Sequence, residues 1–213
     1  MSKGDLVLRV RDVHKSYRRR PVLRGASLEL HAGTLTGIVG ENGSGKSTLL
    51  RILANELAQD SGTVECLAKV GYCPQNSVLH GALTVDQHLR YFQVAYGLDD
   101  LGRASQLLEL LHFAPYRQAR LGTLSGGTRQ KLNLTLALMH DPGVLLLDEP
   151  YQGFDWETYL RFWDLAAALR DRGRSVLVVS HLAYDTKRLD AVYQLEGGML
   201  KQAARAEAHA GGV

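Results

Sequence analysis

Three short stretches of this 213-residue chain carry residue types that handle a polyanion. The first is Gly40-Glu41-Asn42-Gly43-Ser44-Gly45-Lys46-Ser47-Thr48, a glycine, four residues, then Gly-Lys-Ser. Glycines at this spacing let successive backbone N–H groups turn inward as a cradle for phosphate oxygens. Lys46 brings a point charge to the outer phosphates, and the Ser47 hydroxyl suits a magnesium ion. The second stretch is Val144-Leu145-Leu146-Leu147-Asp148-Glu149-Pro150. Its apolar run makes a buried strand, and acids at the carboxyl end of such a strand emerge where α/β sheets bind ligands. Asp148 suits magnesium through its water shell. Glu149, pointing to the other side of the chain, suits a water poised for in-line attack. The third is Leu124-Ser125-Gly126-Gly127-Thr128-Arg129-Gln130, a serine and two glycines opening a helix. Free N–H groups and the helix dipole favour phosphate there as well.

Taken singly, these are a glycine-rich turn, a solvated strand edge and a helix cap. Together they imply more. A chain with one phosphate loop needs no second anion cradle for the same nucleotide, so Ser125 to Gly127 is expected to serve the nucleotide of a partner copy.

The elements around these stretches position them. Leu6–Val13 and Val22–Leu30 read as strands separated by arginine-rich turn residues. Leu35 to Gly40 is a short strand running into the loop, and Leu49, Leu50, Ile52, Leu53 and Leu57 form one face of a helix ended by Asp60-Ser61-Gly62. From Thr84 to Gly122 the pattern is helical. Thr84 and Gln87 make a capping box, and Val85, Leu89, Phe92 and Tyr96 share a face. A second helix carries Leu107, Leu108, Leu110 and Leu111, and a long one runs from Ser125 to Asp141-Pro142. Strand-like Val144–Asp148, a helix near Glu157–Arg170 and strand-like Ser175–Ser180 complete an alternation that signifies a parallel sheet covered by helices, an α/β fold. Gly197-Gly198 turns a terminal hairpin. One domain is expected over residues 1–202 with a helical subdomain inserted at about 80–140, followed by a disordered tail over 203–213.

Composition narrows the partners. Hydrophobic residues are 45%, charged residues 22% and the formal charge is +3, which argues against a dedicated nucleic-acid surface. Arg18, Arg19 and Arg20 read as a solvated loop. Cys66 and Cys73 have no metal-ligand or redox spacing and are expected as reduced cytosolic thiols. No signal-like segment or 18-residue apolar run is visible, so a chain soluble by itself is expected, with any membrane role through a separate partner.

The three stretches occur in the order found in the ATP-binding-cassette ATPases, and the chain resembles that family over nearly its whole length. The resemblance implies the cassette form of the phosphate-loop fold, with an antiparallel N-terminal β part and the helical insertion. It also implies roles for further residues. Gln75, after Gly71-Tyr72-Cys73-Pro74, corresponds to the glutamine that senses the γ-phosphate and magnesium. Asp155 in Gly153-Phe154-Asp155 corresponds to a dimer-contact aspartate. His181 in Val178-Val179-Ser180-His181 matches the switch histidine, and Tyr17 in Val13-His14-Lys15-Ser16-Tyr17 the aromatic that stacks on adenine. By the same resemblance, two ATP molecules with magnesium lie between two copies, each held by Gly40–Thr48 of one and Ser125, Gly126, Gly127 and Gln130 of the other. Magnesium falls to Ser47, Gln75 and Asp148, and Glu149 is general base with His181 holding the γ-phosphate.

Leu83 to Tyr96 and the Ser125–Leu132 stretch resemble bacterial exporter cassettes. An ATPase subunit pairing with itself or a similar cassette, driving export through a separate membrane subunit on the inner face of the cell membrane, is therefore expected. The short segment Gly62–Val70 departs from most exporters. It also occurs in metal-ion importers and in the translation-factor cassettes, and the alternatives are a metal-ion or other importer, or a non-transport cassette of the translation-factor type.

Overall fold

Strands that read as unbroken apolar runs must be covered on both faces, and two strands here are buried at every position. In the computed structural model, which describes residues 4–76, 79–180 and 187–203, these are β6 (Val144–Asp148) and β7 (Ser175–Ser180). They lie inside a six-stranded sheet of order β5-β6-β7-β3-β8-β9. Here β3 is Leu35–Val39, β5 Val70–Cys73, β8 Ala191–Glu196 and β9 Met199–Gln202. All pairs are parallel except β8 with β9, which form the hairpin expected at Gly197-Gly198.

The two-residue period of a strand splits the core in two. Leu145, Leu147, Val176 and Val178 pack towards α2 (Val85–Tyr96), α3 (Gly102–Leu110), α4 (Gly126–Leu138) and α5 (Trp156–Asp171). Val144, Leu146, Leu177 and Val179 pack on the other side with α1 (Lys46–Leu53) and a second sheet. That sheet is antiparallel, of order β2-β1-β4, with β1 at Leu6–Tyr17, β2 at Arg20–His31 and β4 at Ser61–Cys66.

Several boundaries differ from the sequence expectation, each for a tertiary reason. The first two strands run on to meet across a two-residue turn in which Arg18 (φ 45°) and Arg19 (φ 68°) both take left-handed backbone. That is the geometry of the tight hairpin turn, here built without glycine or asparagine. Helix α1 stops at Leu53 because Asn55 turns left-handed (φ 58°), while Ser61-Gly62 opens β4 to pair with β1. Helix α4 ends at Leu138, before Pro142, and the chain turns there through Asp141 (φ 52°). The tail from 204 onward lies outside the described residues.

The capping box at α2 is present: Gln87 N–H donates to Thr84 Oγ1 at 3.2 Å, and Thr84 N–H donates to Gln87 Oε1 at 2.8 Å. Arg117 ties the same helix start to α3, donating to Asp86 at 2.7 Å and to Ser105 at 3.2 Å. Thr84→Ala is therefore expected to destabilise the fold by about 1 kcal/mol. This corresponds to a fall of roughly 2–4 °C in the thermal midpoint for a chain of this size, with Thr84→Ser close to wild type, as followed by circular dichroism. An unchanged midpoint in the alanine variant contradicts the cap.

Candidate functional site

Parallel register brings the carboxyl ends of three strands level. Val39 pairs with Ser180, and Asp148 with Val179. The loop leaving β3 therefore faces the acids leaving β6. A cavity of about 400 Å³ collects Asn42, Gly43 and Gly45 to Thr48 with Gln75, Asp148 and Glu149. Gly45 caps α1 with φ at 108°, a conformation L side chains avoid, and a Cβ there would lie 2.9 Å from Val22 Cγ1.

Lys46 is buried and donates from Nζ to the carbonyls of Gly40 at 2.7 Å and Glu41 at 2.8 Å. Burial lowers its pKa, opposed by the charges of Glu149 and Asp148. Asp148 is also buried, and desolvation raises its pKa. The nearby Glu149 charge pushes in the same direction, while a hydrogen bond with Ser47 and the Lys46 charge oppose it. Glu149 is buried with φ at 47° and donates its N–H to Val179 O at 3.0 Å. A non-glycine residue held in that region carries strain, which the surrounding sheet must hold.

These residues fit a nucleoside phosphate. Ser44 Oγ is buried at the loop with no hydrogen-bond partner among the described residues. The Lys46 ammonium donates to two loop carbonyls, which a phosphate oxygen readily outcompetes. Ser47 hydroxyl, Asp148 carboxylate and Gln75 side-chain carbonyl form a hard oxygen set. No cluster of three or more His, Cys, Asp or Glu suited to a metal occurs among the described residues. Magnesium takes one or two carboxylates and otherwise uses water and substrate phosphates, and Asp148 supplies one carboxylate in this cavity.

Tyr17 is 43% exposed and borders a second cavity of about 510 Å³, together with Arg20, Val22, Gly43 and Ser44. Val22 and Gly43 line both cavities, so the two adjoin. Val22 was not singled out from the sequence, since one valine in a strand carries no distinguishing signal.

The Ser125 stretch lies apart from the loop. Ser125 caps α4, its Oγ accepting from Thr128 N–H at 3.2 Å and lying 2.7 Å from Thr128 Oγ1. Its two glycines differ. A Cβ on Gly126 would meet open space, whereas one on Gly127 would lie 2.0 Å from Gly153 O. Gly127 is thus required by the chain's own packing, a contact between distant segments that no local pattern announces.

Gln130 lines one cleft with Gly126 and Gly127 and also has partners within its own chain. It is 4% exposed. Its Nε2 donates to Pro74 O at 3.4 Å and lies 3.6 Å from Cys73 Sγ, and its Oε1 accepts from Asn133 at 2.9 Å. Five residues after the cap, the helix has turned it inward. It ties α4 to the segment that carries Gln75, and Gln75 borders both the Lys46 cavity and a cleft of about 380 Å³ containing Gly126 and Gly127.

Asp155 caps α5, accepting from Thr158 N–H at 2.8 Å and Thr158 Oγ1 at 2.9 Å. The backbone bond from Thr158 is the main cause of its lowered pKa. His181 lies outside the described residues. Ser180 before it is buried, and its Oγ accepts from Tyr151 Oη at 2.8 Å.

The sheet order and the loop–helix junction define a phosphate-loop nucleotide-binding protein with a helical insertion. A sequence model of the ABC transporter family matches residues 23–152. The chain belongs to that family, whose cassettes are ATPases. It is 32% identical over 204 residues to the Nod factor export ATP-binding protein I of Burkholderia orbicola (strain AU 1054), covering 88% of this chain and 67% of that one. It is 28% identical over 210 residues to ABC transporter G family member 20 of Dictyostelium discoideum, covering 92% of this chain but only 29% of that protein. A solved dimeric structure of a bacterial ABC transporter cassette matches with a TM-score of 0.81 at 23% identity, covering 91% of this chain and 96% of that one.

Two measurements test this geometry. Gly127→Ala is expected to lower the thermal midpoint clearly, by displacing the 150–155 segment, whereas Gly126→Ala leaves it near wild type. Equal losses would contradict the difference between the two positions. The second concerns Asp148. A carboxyl whose pKa is raised by folding contributes stability when protonated, and that contribution is lost as pH rises from the unfolded value of 3.8 through the folded one. Asp148→Asn removes the charge, so the nucleotide-free variant is expected to melt above wild type at neutral pH. The advantage should shrink as the pH falls towards the unfolded value. A variant melting at or below wild type at neutral pH, by scanning calorimetry, contradicts the raised pKa.

Proposed function

We propose that the chain hydrolyses ATP in composite sites shared with a second copy or a similar cassette, and that this drives export through a separate membrane subunit. One observation carries the shared site: Ser125 and the open Gly126 form a phosphate-suited helix start, and Gly126 lines a cleft other than the cavity of the chain's own phosphate loop. In this reading the loop N–H groups and Lys46 hold the β- and γ-phosphates, and Tyr17 stacks on the base. Ser47, Asp148 and Gln75 would hold magnesium, which would supply positive charge against the phosphates. Glu149 takes a proton from a water that attacks the γ-phosphorus in line. The bond to the β-phosphate oxygen breaks, giving ADP and inorganic phosphate. Ser125 to Gly127 of the other copy donate to the γ-phosphate, Asp155 lies at the contact between copies, and His181 holds the γ-phosphate in register. Gln130 acts within its own chain, as a strut between α4 and Gln75.

Export rests on the likeness to a relative named for Nod factor export. No helix among the described residues is long and apolar enough to cross a membrane, which fits a cassette docked on the inner face of the membrane by a partner subunit. The short connection between α1 and Gln75, with only β4 and β5 in it, favours a metal-ion importer as the second reading.

Glu149→Gln keeps the shape of the side chain and removes the proton acceptor. Turnover is expected to fall by about 10²-fold or more, while ATP with magnesium drives the variant into a dimer visible by light scattering. Lys46→Ala is expected to bind nucleotide weakly and stay monomeric. A Glu149→Gln variant with near-wild-type turnover removes the general base. One that binds ATP yet stays monomeric refutes the composite site.

A further inference from the structure

We propose that Tyr151 is a positioning residue for Glu149, and that it works through one hydrogen bond, from its hydroxyl to Ser180 Oγ. The inference rests on reading Glu149 as the general base. It begins with a conflict in the backbone. Glu149 holds φ at 47°, and the residue after it is Pro150. A residue before proline is pushed towards extended backbone, so this one is held against two preferences at once. A general base must meet its water in a set place, and a backbone free to relax would cost rate.

Two bonds to successive residues of β7 hold the turn. The Glu149 N–H donates to Val179 O at 3.0 Å, and the Tyr151 hydroxyl donates to Ser180 Oγ at 2.8 Å. Between them the turn closes on itself, Gln152 N–H donating to Glu149 O at 3.2 Å. The strand that receives both bonds is fixed. β7 is buried at every position, and Ser180 lies in register with Val39, the residue before the phosphate loop. The Tyr151 ring is fixed as well. It meets Tyr159 and Phe162 edge-on, at 5.4 Å and 5.6 Å between centroids, and lies 6.0 Å from Trp163. Phe162 and Trp163 are buried residues of α5. Phenylalanine would meet the demands of that packing, since edge contacts between rings need no hydroxyl. What tyrosine adds is a donor, placed two residues beyond the strained one and aimed at the strand that already holds the Glu149 backbone.

The test measures kcat and KM for ATP hydrolysis by the full chain with magnesium. Nucleotide affinity is read with a fluorescent ATP analogue, and the thermal midpoint by circular dichroism. Tyr151→Phe keeps the ring and removes the donor. Its kcat per nucleotide-binding chain is expected to fall about tenfold, short of the roughly 10²-fold that a 1 Å misplacement can cost. KM and affinity should stay within about twofold of wild type, the mark of an interaction that matters to the chemical step. Ser180→Ala removes the acceptor and should match it. The double variant should lose no more than either single one, as partners in one bond do. Each variant is expected to melt within about 4 °C of wild type. If Tyr151→Phe fails to fold, Ser180→Ala decides by the same readings. A wild-type kcat in Tyr151→Phe, or losses that multiply in the double variant, overturns the positioning role and leaves Glu149 as base. Affinity lost in step with kcat overturns it too, since that marks a site deformed as a whole. Near-wild-type turnover in Glu149→Gln removes the base itself, and this proposal with it.

Discussion

The structure depends on keeping Lys46, Asp148 and Glu149 close together and largely out of water before any nucleotide arrives. Burial disfavours the charged forms of both Lys46 and Asp148, and their mutual attraction offsets only part of that. Such an arrangement is tolerable only if the backbone under it cannot relax. β6 and β7 are buried at every position. A one-residue slip of β6 would exchange Leu145 and Leu147 with Val144 and Leu146 and displace Asp148 from its register with Val179. The two cores on either side of the sheet therefore do more than stabilise it. They fix the register that places two acids opposite one lysine.

The same demand for rigidity extends to α4. Three contacts anchor its first turns to different parts of the chain: Gly127 against Gly153, Gln130 to Pro74, and Lys131 to Thr158 at 2.9 Å. The helix that begins at Ser125 is thus bound to the segment carrying Gln75 and to the start of α5 at Asp155. Gln130 joins α4 to the segment that carries Gln75, and Gly127 joins α4 to Gly153 before α5. This is a physical connection through named groups, within one chain.

What the sequence made legible was local. The phosphate loop, the acids after β6, the capping box at Thr84 and the bounds of β7 follow from residue types at short spacing. Tertiary partners decided the rest. The first two strands extend to Tyr17 and Arg20 because two arginines accept left-handed backbone at the turn, a place where sequence patterns look for glycine or asparagine. Helix α1 ends early because β4 must return to β1. Gln130 shares a motif with Ser125 in the sequence, and its bond to Pro74 is a tertiary contact that the motif does not announce. Val22 gained meaning only when the two cavities were found to meet at it.

The two halves of the proposed shared site differ in kind, and that difference bears on how it would open. The loop half carries a formal charge, Lys46, and a row of backbone donors. It can hold a nucleotide through the inner phosphates by itself. The Ser125 half offers neutral donors and a helix end, and in the isolated chain the Ser125 hydroxyl is already used as the cap of α4. As the cap it accepts from Thr128 N–H, so its own O–H can turn from Thr128 Oγ1 to a stronger acceptor. A γ-phosphate would be one, through charge-assisted bonds of roughly twice the strength of neutral ones. In the proposed site, loss of the γ-phosphate would leave the loop its ligand while the Ser125 half would lose its own. Closure tied to the terminal phosphate, and release after its loss, then follow from the unequal chemistry of the two halves.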